Sequence, residues 1–125
     1  MPTFLSKSEL GDKYGLSSGA IVGDYAFVAG MALGEDVRRL PEAETIADEV
    51  RICLGQIENG LAEAGCTLRD VVKTTCWLSD DSYRAEFIEA YREAFAPGPY
   101  PARVTLVAGI AGDCRVEIDA IAMKS

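Results

Sequence analysis

The stretch PARVTLVAGIAGDCRVEIDAIA, residues 101–122, is dominated by Val, Ile, Leu and Ala. Its two apolar runs are joined by a loop at 109–114, and this pattern predicts a closing β-hairpin. The runs nevertheless carry Arg103 near their start and Glu117 near their end. A charged side chain in an apolar strand is costly unless it is paired or used. Arg103 and Glu117 are therefore the first candidates for a functional site.

The alternation of side chains along a strand decides whether these two residues can meet. Arg103 and Thr105 share one face of the first strand, and Glu117 and Asp119 share one face of the second. A register with Thr105 opposite Glu117 turns Arg103 and Glu117 toward one small cavity, on the face that no helix covers. An odd shift of the register places them on opposite faces, and the loop leaves both registers open.

Two interpretations of Arg103 and Glu117 compete. In the first, they form a cross-strand or intersubunit ion pair with a structural role. In the second, they bind a small carboxylate, because the planar guanidinium donates two parallel hydrogen bonds to such a group and Glu117 can orient or deprotonate a water. The residue pattern alone does not decide between them.

The rest of the chain alternates between strand and helix patterns. In order, the pattern predicts two strands within 17–30, a helix near 44–64, a strand at 71–78, a helix within 79–95 and the two closing strands. A turn at Gly23-Asp24 joins the first two strands, and Pro97-Gly98-Pro99 ends the second helix. The predicted fold class is α+β, with the order β-β-α-β-α-β-β and a mixed sheet that carries two helices on one face.

Both predicted helices have one apolar stripe. Gly65 follows the first helix as a C-terminal cap, and Asp81 or Ser82 can cap the start of the second. The inward-facing residues are Ile46, Val50, Leu54, Ile57 and Leu61 in the first helix and Phe87, Tyr91 and Phe95 in the second.

Length, charge and cysteine content limit the kind of protein. A chain of 125 residues, 49% of them hydrophobic, suits a single domain over residues 1–125. A net charge of −8 without a basic run argues against a nucleic-acid partner. We expect no membrane partner, because neither a signal segment nor a long apolar run is visible.

The sequence has no histidine, and its four cysteines form no C-x-x-C, so zinc patterns and histidine-dependent catalytic triads are excluded. We expect a cytoplasmic protein with reduced thiols, although Cys114 in its loop could be exposed.

Two helices can cover only one face of the predicted sheet. The strands at 71–78 and 103–108 carry apolar side chains on both faces, so something must cover the second face. Self-association is the simplest answer, and we predict a homo-oligomer.

The closing segment resembles the C-terminal signature of the reactive intermediate deaminase family, also called Rid or YjgF. Three upstream pieces support the resemblance, which spans about residues 17–123: GDYAFVAG, EAGCTLRDVVKTTCWLSD and FIEAYREAF. The resemblance implies a chorismate-mutase-like fold assembled as a homotrimer, with three clefts at the subunit interfaces.

The resemblance also implies a hydrolase that converts reactive enamines and imines, such as 2-aminoacrylate, to 2-keto acids and ammonia. Its substrates would include 2-iminobutanoate and 2-iminopropanoate, and no cofactor or metal is needed. The carboxylate-binding arginine of the family falls on Arg103 and its water-positioning glutamate on Glu117. Gly30 and Thr105 would complete the pocket through their backbone.

Four positions depart from the usual family pattern and make the expected pocket more apolar. The family's tyrosine aligns with Leu16, although Tyr14 is close enough to substitute, and its serine is Ala29 here. Its asparagine in the second helix is Ile88, a further candidate for substrate binding, and its cysteine is Thr105. A bulkier imine fits these changes, and so does an alternative function, the binding of keto acids or similar carboxylates without turnover. The acidic chain without histidine disfavours a third function, RNA cleavage.

Overall fold

Six strands form one mixed sheet in the computed structural model, which describes residues 1–5 and 9–125. The strands lie in the order β1-β2-β3-β6-β4-β5 across the sheet, and β4 and β5 are parallel while the other neighbouring strands are antiparallel. Their bounds are β1 Thr3–Leu5, β2 Gly19–Val22, β3 Tyr25–Met31, β4 Val71–Leu78, β5 Ala102–Val107 and β6 Val116–Met123.

The predicted closing hairpin is wrong. Strands β5 and β6 are not hydrogen-bonded to each other, because β4 lies between them and pairs with both. The loop after β5 therefore carries the chain past β4 before β6 begins. Two apolar runs joined by a short loop have the composition of a hairpin, and composition does not reveal a third strand inserted between them.

Three helices accompany the sheet: α1 Glu9–Tyr14, α2 Ile46–Glu63 and α3 Arg84–Phe95. The predicted order β-β-α-β-α-β-β lacks β1 and α1, so the observed order is β-α-β-β-α-β-α-β-β. These two elements are three and six residues long, too short for their periodicity to show.

The predicted C-terminal cap of the first long helix is confirmed, and the predicted N-terminal cap of the second is corrected. Gly65 follows α2 with a φ of +74°, as expected for a C-terminal cap. Thr45, which the sequence analysis did not single out, caps the start of α2 in a capping box with Asp48. Before α3, Asp80 caps a short 3₁₀ turn by accepting a hydrogen bond from the backbone N–H of Ser82.

Helices α2 and α3 lie on the same face of the sheet. Gly30 of β3 packs against the backbone of Cys53 in α2, so closely that a Cβ at this position would collide with the Cys53 carbonyl. On the same face, the Thr74 hydroxyl of β4 lies 2.8 Å from the Tyr91 hydroxyl of α3. The core between these layers includes the predicted apolar stripes of both helices.

A buried ion pair joins α2 to the start of β6. Glu49 is fully buried and accepts hydrogen bonds from Arg115 Nε at 2.8 Å and from the Val116 backbone N–H at 3.0 Å. The Arg115 guanidinium also donates to the backbone carbonyl oxygens of Ala43 and Glu44. Neither partner was predicted, because the sequence does not show that an acidic residue early in α2 turns inward.

The opposite face of the sheet, here called the open face, is covered by neither α2 nor α3. Its large apolar side chains are more than two-fifths exposed at several positions, which include Phe4 on β1, Val22 on β2, Tyr25 and Phe27 on β3, Val104 and Leu106 on β5, and Met123 on β6. An apolar face that the chain itself leaves exposed was the basis for the predicted oligomer. Among the described helices, none is both long enough and apolar enough to cross a bilayer.

Candidate active site

Arg103 stands on the edge strand β5 and points to the helix-covered side of the sheet. It pairs in register with Thr74, which is buried beneath α3. The guanidinium carbon of Arg103 lies 4.9 Å from the ring centre of Tyr91 and 5.8 Å from that of Phe87. Within the described part of the chain, no carboxylate lies within salt-bridge distance of this guanidinium. The charge of Arg103 is thus supported by aromatic rings and left available to a ligand.

Beside Arg103 lies a cavity of about 320 Å³. Its remaining lining residues are Ile88, Tyr91, Arg92, Tyr100 and Pro101. The walls are mostly apolar or aromatic, and the two guanidinium groups give the cavity a positive charge. Such a cavity suits a small anion that carries an apolar group.

Glu117 lies on β6 and points to the open face. It is half-buried between its cross-strand neighbours, Trp77 on β4 and Met31 on β3. Burial raises the pKa of Glu117 above its ordinary value, and the negative charge of nearby Asp119 raises it further. A carboxyl group with a raised pKa is a better proton acceptor near neutral pH than an ordinary glutamate.

Arg103 and Glu117 therefore lie on opposite faces of one sheet. Arg103 is aligned with buried Thr74, whereas Glu117 is aligned with Trp77, and successive side chains of β4 point to opposite faces. The expectation that both residues overlook one cavity of a single chain is wrong, and so is a cross-strand ion pair within the chain. Both expectations rested on the β5-β6 hairpin, which does not form.

The open face carries a groove of about 690 Å³ next to the N-terminal segment. It is lined by Leu16 and Ala29, two of the positions that depart from the family pattern, and by Asp119 and Phe27. Tyr14, at the end of α1, is exposed and lies within two residues of Leu16. These residues share the face of Glu117 and lie away from the Arg103 cavity.

Thr105 and Gly30 have different surroundings. Thr105 is half-buried two residues after Arg103 and shares its face. Gly30 lies beneath α2. The backbone N–H groups of its neighbours Ala29 and Met31 point away from β6, to the Ser18 carbonyl and the Gln56 side chain. Because successive backbone groups of a strand alternate in direction, those of Gly30 point toward β6. The structure gives Gly30 a packing role against α2, and the expected contact of its backbone with a ligand stays a prediction.

The candidate residues fall into two half-sites. The arginine half-site combines Arg103, Thr105 and Ile88 at the β5 edge, and the glutamate half-site combines Glu117 with Asp119 and the groove on the open face. The sequence analysis assigned Tyr91 to the core and did not single out Tyr100. The spacing of Ile88 and Tyr91, one helical turn apart, is the signal that could have placed both beside the same cavity.

One thiol borders the arginine half-site, because Cys76 on β4 lies in register with Thr105 on β5. All four cysteines are free and buried, and Cys114, expected in an exposed turn, donates from its Sγ to the Ala32 carbonyl at 3.5 Å. Burial raises the pKa of Cys53 to about 12 and that of Cys114 to about 11. Thiols with such pKa values are poor nucleophiles at neutral pH.

Residues 7–124 match the model of the family described as endoribonuclease L-PSP. The chain belongs to this family, which also includes the YjgF, RutC and Rid proteins, and the resemblance noted in the sequence is confirmed. A RutC family protein of Pyrococcus abyssi is 34% identical over 105 residues, which cover 82% of this chain and 81% of that protein. An Escherichia coli protein named "Putative reactive intermediate deaminase TdcF" is 30% identical over 83 residues, or 64% of each chain.

The fold is similar to solved structures of the same family. Rv2704 from Mycobacterium tuberculosis, described as a member of the YjgF/YER057c/UK114 family, is 34% identical and superimposes with a TM-score of 0.77 over 98% of this chain and 99% of its own. The mixed α+β sheet of this chain is therefore the family fold.

Proposed function

We propose that the chain is an enamine and imine deaminase whose active site forms only between protomers. In this proposal, Arg103 of one protomer and Glu117 of its neighbour face one cleft of a homotrimer. The observation that carries it is the separation of the two half-sites, since a single chain cannot bring Arg103 and Glu117 together. Contact between the β5 edge of one protomer and the open face of the next would do so.

The exposed surfaces favour such an assembly. Val104 and Leu106 are nearly half exposed on the open face of β5, the same edge strand that carries Arg103. Their burial against a neighbour would remove apolar area from water and stabilise the contact. The threefold arrangement itself comes from the family resemblance.

Arg103 would bind the carboxylate of the substrate. Its planar guanidinium can donate two parallel hydrogen bonds to a carboxylate, which fixes the orientation as well as the position of the ligand. Because the guanidinium has no carboxylate partner in the described chain, no internal ion pair has to be broken first. The imine carbon next to the bound carboxylate is then held toward the neighbour's half-site.

Glu117 would position the attacking water and accept its proton. Water adds to the imine carbon, the resulting carbinolamine loses ammonia, and a 2-keto acid remains. An enamine substrate first tautomerises to the imine by protonation at carbon. A protonated imine is already electrophilic, so the protein contributes mainly orientation and proton transfer, and the reaction requires no cofactor or metal.

The relatives support the deaminase proposal at the level of the family. TdcF is named a reactive intermediate deaminase, and it is 30% identical to this chain over 83 residues. The family model carries the name of an endoribonuclease. We do not propose RNA cleavage, because the chain has a net charge of −8 and lacks histidine.

The second candidate is a non-catalytic carboxylate-binding protein. The apolar residues Ile88, Leu16 and Ala29 stand where the family usually carries polar side chains, and this observation favours the second candidate. Binding through Arg103 alone would not require Glu117. The two candidates therefore differ in the expected effect of a change at Glu117.

A coupled assay tests the proposed function. An amino-acid oxidase generates the imine, and the loss of the imine is followed with and without the protein. Arg103→Ala should raise KM about tenfold or more, because a charged hydrogen-bonded contact is lost. Glu117→Gln should lower kcat by a factor of about 10² or more while 2-ketobutyrate still binds. Arg51→Ala, which removes an exposed arginine on α2, is the control and should change neither constant.

Two results would contradict the proposed function. If Arg103→Ala turns over the imine as well as the unmodified protein does, the carboxylate does not bind at Arg103. If the unmodified protein binds 2-ketobutyrate but never accelerates imine loss, the chain is a binding protein.

A further inference from the structure

Two aromatic rings form a seat under the guanidinium of Arg103. The ring centres of Phe87 and Tyr91 are 5.6 Å apart, with a tilt of 36° between the rings, and both residues are almost fully buried. The guanidinium carbon lies 4.9 Å from the Tyr91 ring centre, within the range of a cation–π interaction. Arginine prefers this arrangement because its planar, weakly hydrated group stacks on aromatic faces.

The Tyr91 ring also contacts residues of the core on the side away from Arg103. Its hydroxyl lies 2.8 Å from the Thr74 hydroxyl, and Thr74 is fully buried. On the side toward the end of α3, the Phe95 ring packs on Tyr91 with centres 4.7 Å apart. Because Tyr91 is almost fully buried, close packing on all sides, and no single neighbour by itself, restricts the rotation of its ring. Tyr91 therefore presents a fixed face to Arg103.

Arg103 depends on this face for its own order. It stands on an edge strand, is exposed, and forms no ion pair within the described residues. A long side chain without partners loses rotamer entropy when it binds a ligand in one geometry. A guanidinium already resting on a ring has lost part of that freedom before the ligand arrives.

We propose that Tyr91 is a positioning residue, which orients the Arg103 guanidinium so that its two parallel donors face the cavity lined by Ile88 and Tyr100. The inference rests on the proposed function, because it concerns how Arg103 binds the substrate carboxylate. It assigns to a core tyrosine a part in ligand affinity that acts through Arg103 and requires no contact with the ligand.

Four variants separate this role from simple packing. Tyr91→Leu removes the ring under Arg103, and Tyr91→Phe removes only the hydroxyl and keeps the ring. Phe95→Leu is the matched control, since it removes a neighbouring core ring that does not contact Arg103. Arg103→Ala defines the complete loss of the carboxylate contact. Binding of 2-ketobutyrate by calorimetry and the steady-state constants for imine hydrolysis are measured for each variant.

We expect Tyr91→Leu to raise both the Kd for 2-ketobutyrate and KM about fivefold to thirtyfold, because an Arg103 side chain without its ring loses its rotamer freedom only when the ligand binds. Its kcat should stay within about twofold, because the contact is present in the ground state and the transition state alike. Tyr91→Phe and Phe95→Leu should keep a Kd within about twofold of the unmodified protein. A general packing defect would instead affect Tyr91→Leu and Phe95→Leu equally.

The inference is overturned if Tyr91→Leu binds 2-ketobutyrate as tightly as the unmodified protein while Arg103→Ala does not. It is also overturned if Phe95→Leu weakens binding as much as Tyr91→Leu. Should Tyr91→Leu fail to fold, the side-chain NMR resonances of Arg103 in the unmodified protein decide: a ring-current shift relative to the other arginines supports the seat, and its absence contradicts it. If Arg103→Ala binds normally, the proposed function fails first and the positioning role fails with it.

Discussion

Arg103 and Glu117 lie on opposite faces of the same sheet, with strand β4 between the strands that carry them. Arg103 rests on the rings of α3 at the sheet edge, and Glu117 lies on the face that neither α2 nor α3 covers. The proposed function therefore needs a second copy of the chain to bring the two half-sites together.

The pKa of Glu117 should determine the acid limb of the pH–rate profile. Burial and the charge of Asp119 hold this pKa above the ordinary value of 4.5. The carboxylate is the form that accepts the proton, so kcat/KM should fall as the pH drops through the raised pKa. Asp119→Asn removes one of the two causes and should move the acid limb to lower pH, whereas Asp119→Glu should leave it near its original position. An acid limb that does not move in Asp119→Asn would contradict this assignment of the limb to Glu117.

Ile88 should select substrates with apolar side chains. It lines the Arg103 cavity at a position where the family usually carries asparagine. Ile88→Asn should lower kcat/KM for a leucine-derived imine relative to an alanine-derived imine by about tenfold, since an apolar wall becomes polar. Ile88→Val is the control and should keep the original ratio. An unchanged ratio in Ile88→Asn would place the substrate side chain elsewhere.

Gly30 should matter for stability. A Cβ at Gly30 would collide with the Cys53 carbonyl, so Gly30→Ala should lower the free energy of unfolding by about 1–3 kcal/mol. The matched change Gly55→Ala, in the middle of α2 where no atom lies within 4 Å of the new Cβ, should raise it by about 0.5–1 kcal/mol. Urea unfolding of both variants gives the two values. Equal effects of the two changes would contradict the close packing of α2 on β3.

The buried pair of Glu49 and Arg115 should be the most sensitive ionic contact of the fold. Glu49→Ala leaves Arg115 Nε and two backbone N–H groups without their acceptor and should cost about 3–5 kcal/mol. Arg51→Ala breaks an ion pair whose partners are 57% and 38% exposed and should cost less than about 1 kcal/mol. Thermal unfolding of the two variants measures the difference. Similar costs would show that Glu49 does not anchor β6.

The strands and helices with a clear repeat of apolar residues were predictable from the sequence. Strand β4 was predicted at 71–78, where it is observed, and the turn at Gly23-Asp24 joins β2 to β3 with a φ of +59° at Gly23. The inward positions of α3 were also predicted, because a helix of this length shows its stripe. Local signals of this kind reflect interactions between neighbouring residues in the chain.

The neighbours of each strand were not predictable in the same way. The insertion of β4 between β5 and β6 depends on contacts between distant segments, and this insertion decides which face Arg103 takes. Arg103 and Glu117 were singled out from the sequence as candidates, but their position on opposite faces of the sheet was not predicted. The contact of the Arg103 guanidinium with the aromatic rings was not predicted for the same reason, since Tyr91 has the spacing of an ordinary core residue.

Mixing two impaired variants tests the intersubunit site most directly. At substrate concentrations well below KM, Arg103→Ala should keep no more than about a tenth of the unmodified activity and Glu117→Gln about a hundredth. A cleft between an Arg103→Ala protomer and a Glu117→Gln protomer can nevertheless contain one intact arginine and one intact glutamate. After the two variants are unfolded together and refolded as an equal mixture, random assembly of homotrimers should restore about a quarter of the clefts. We predict recovery of about a quarter of the unmodified activity. A mixture no more active than its two components would contradict a site shared between protomers.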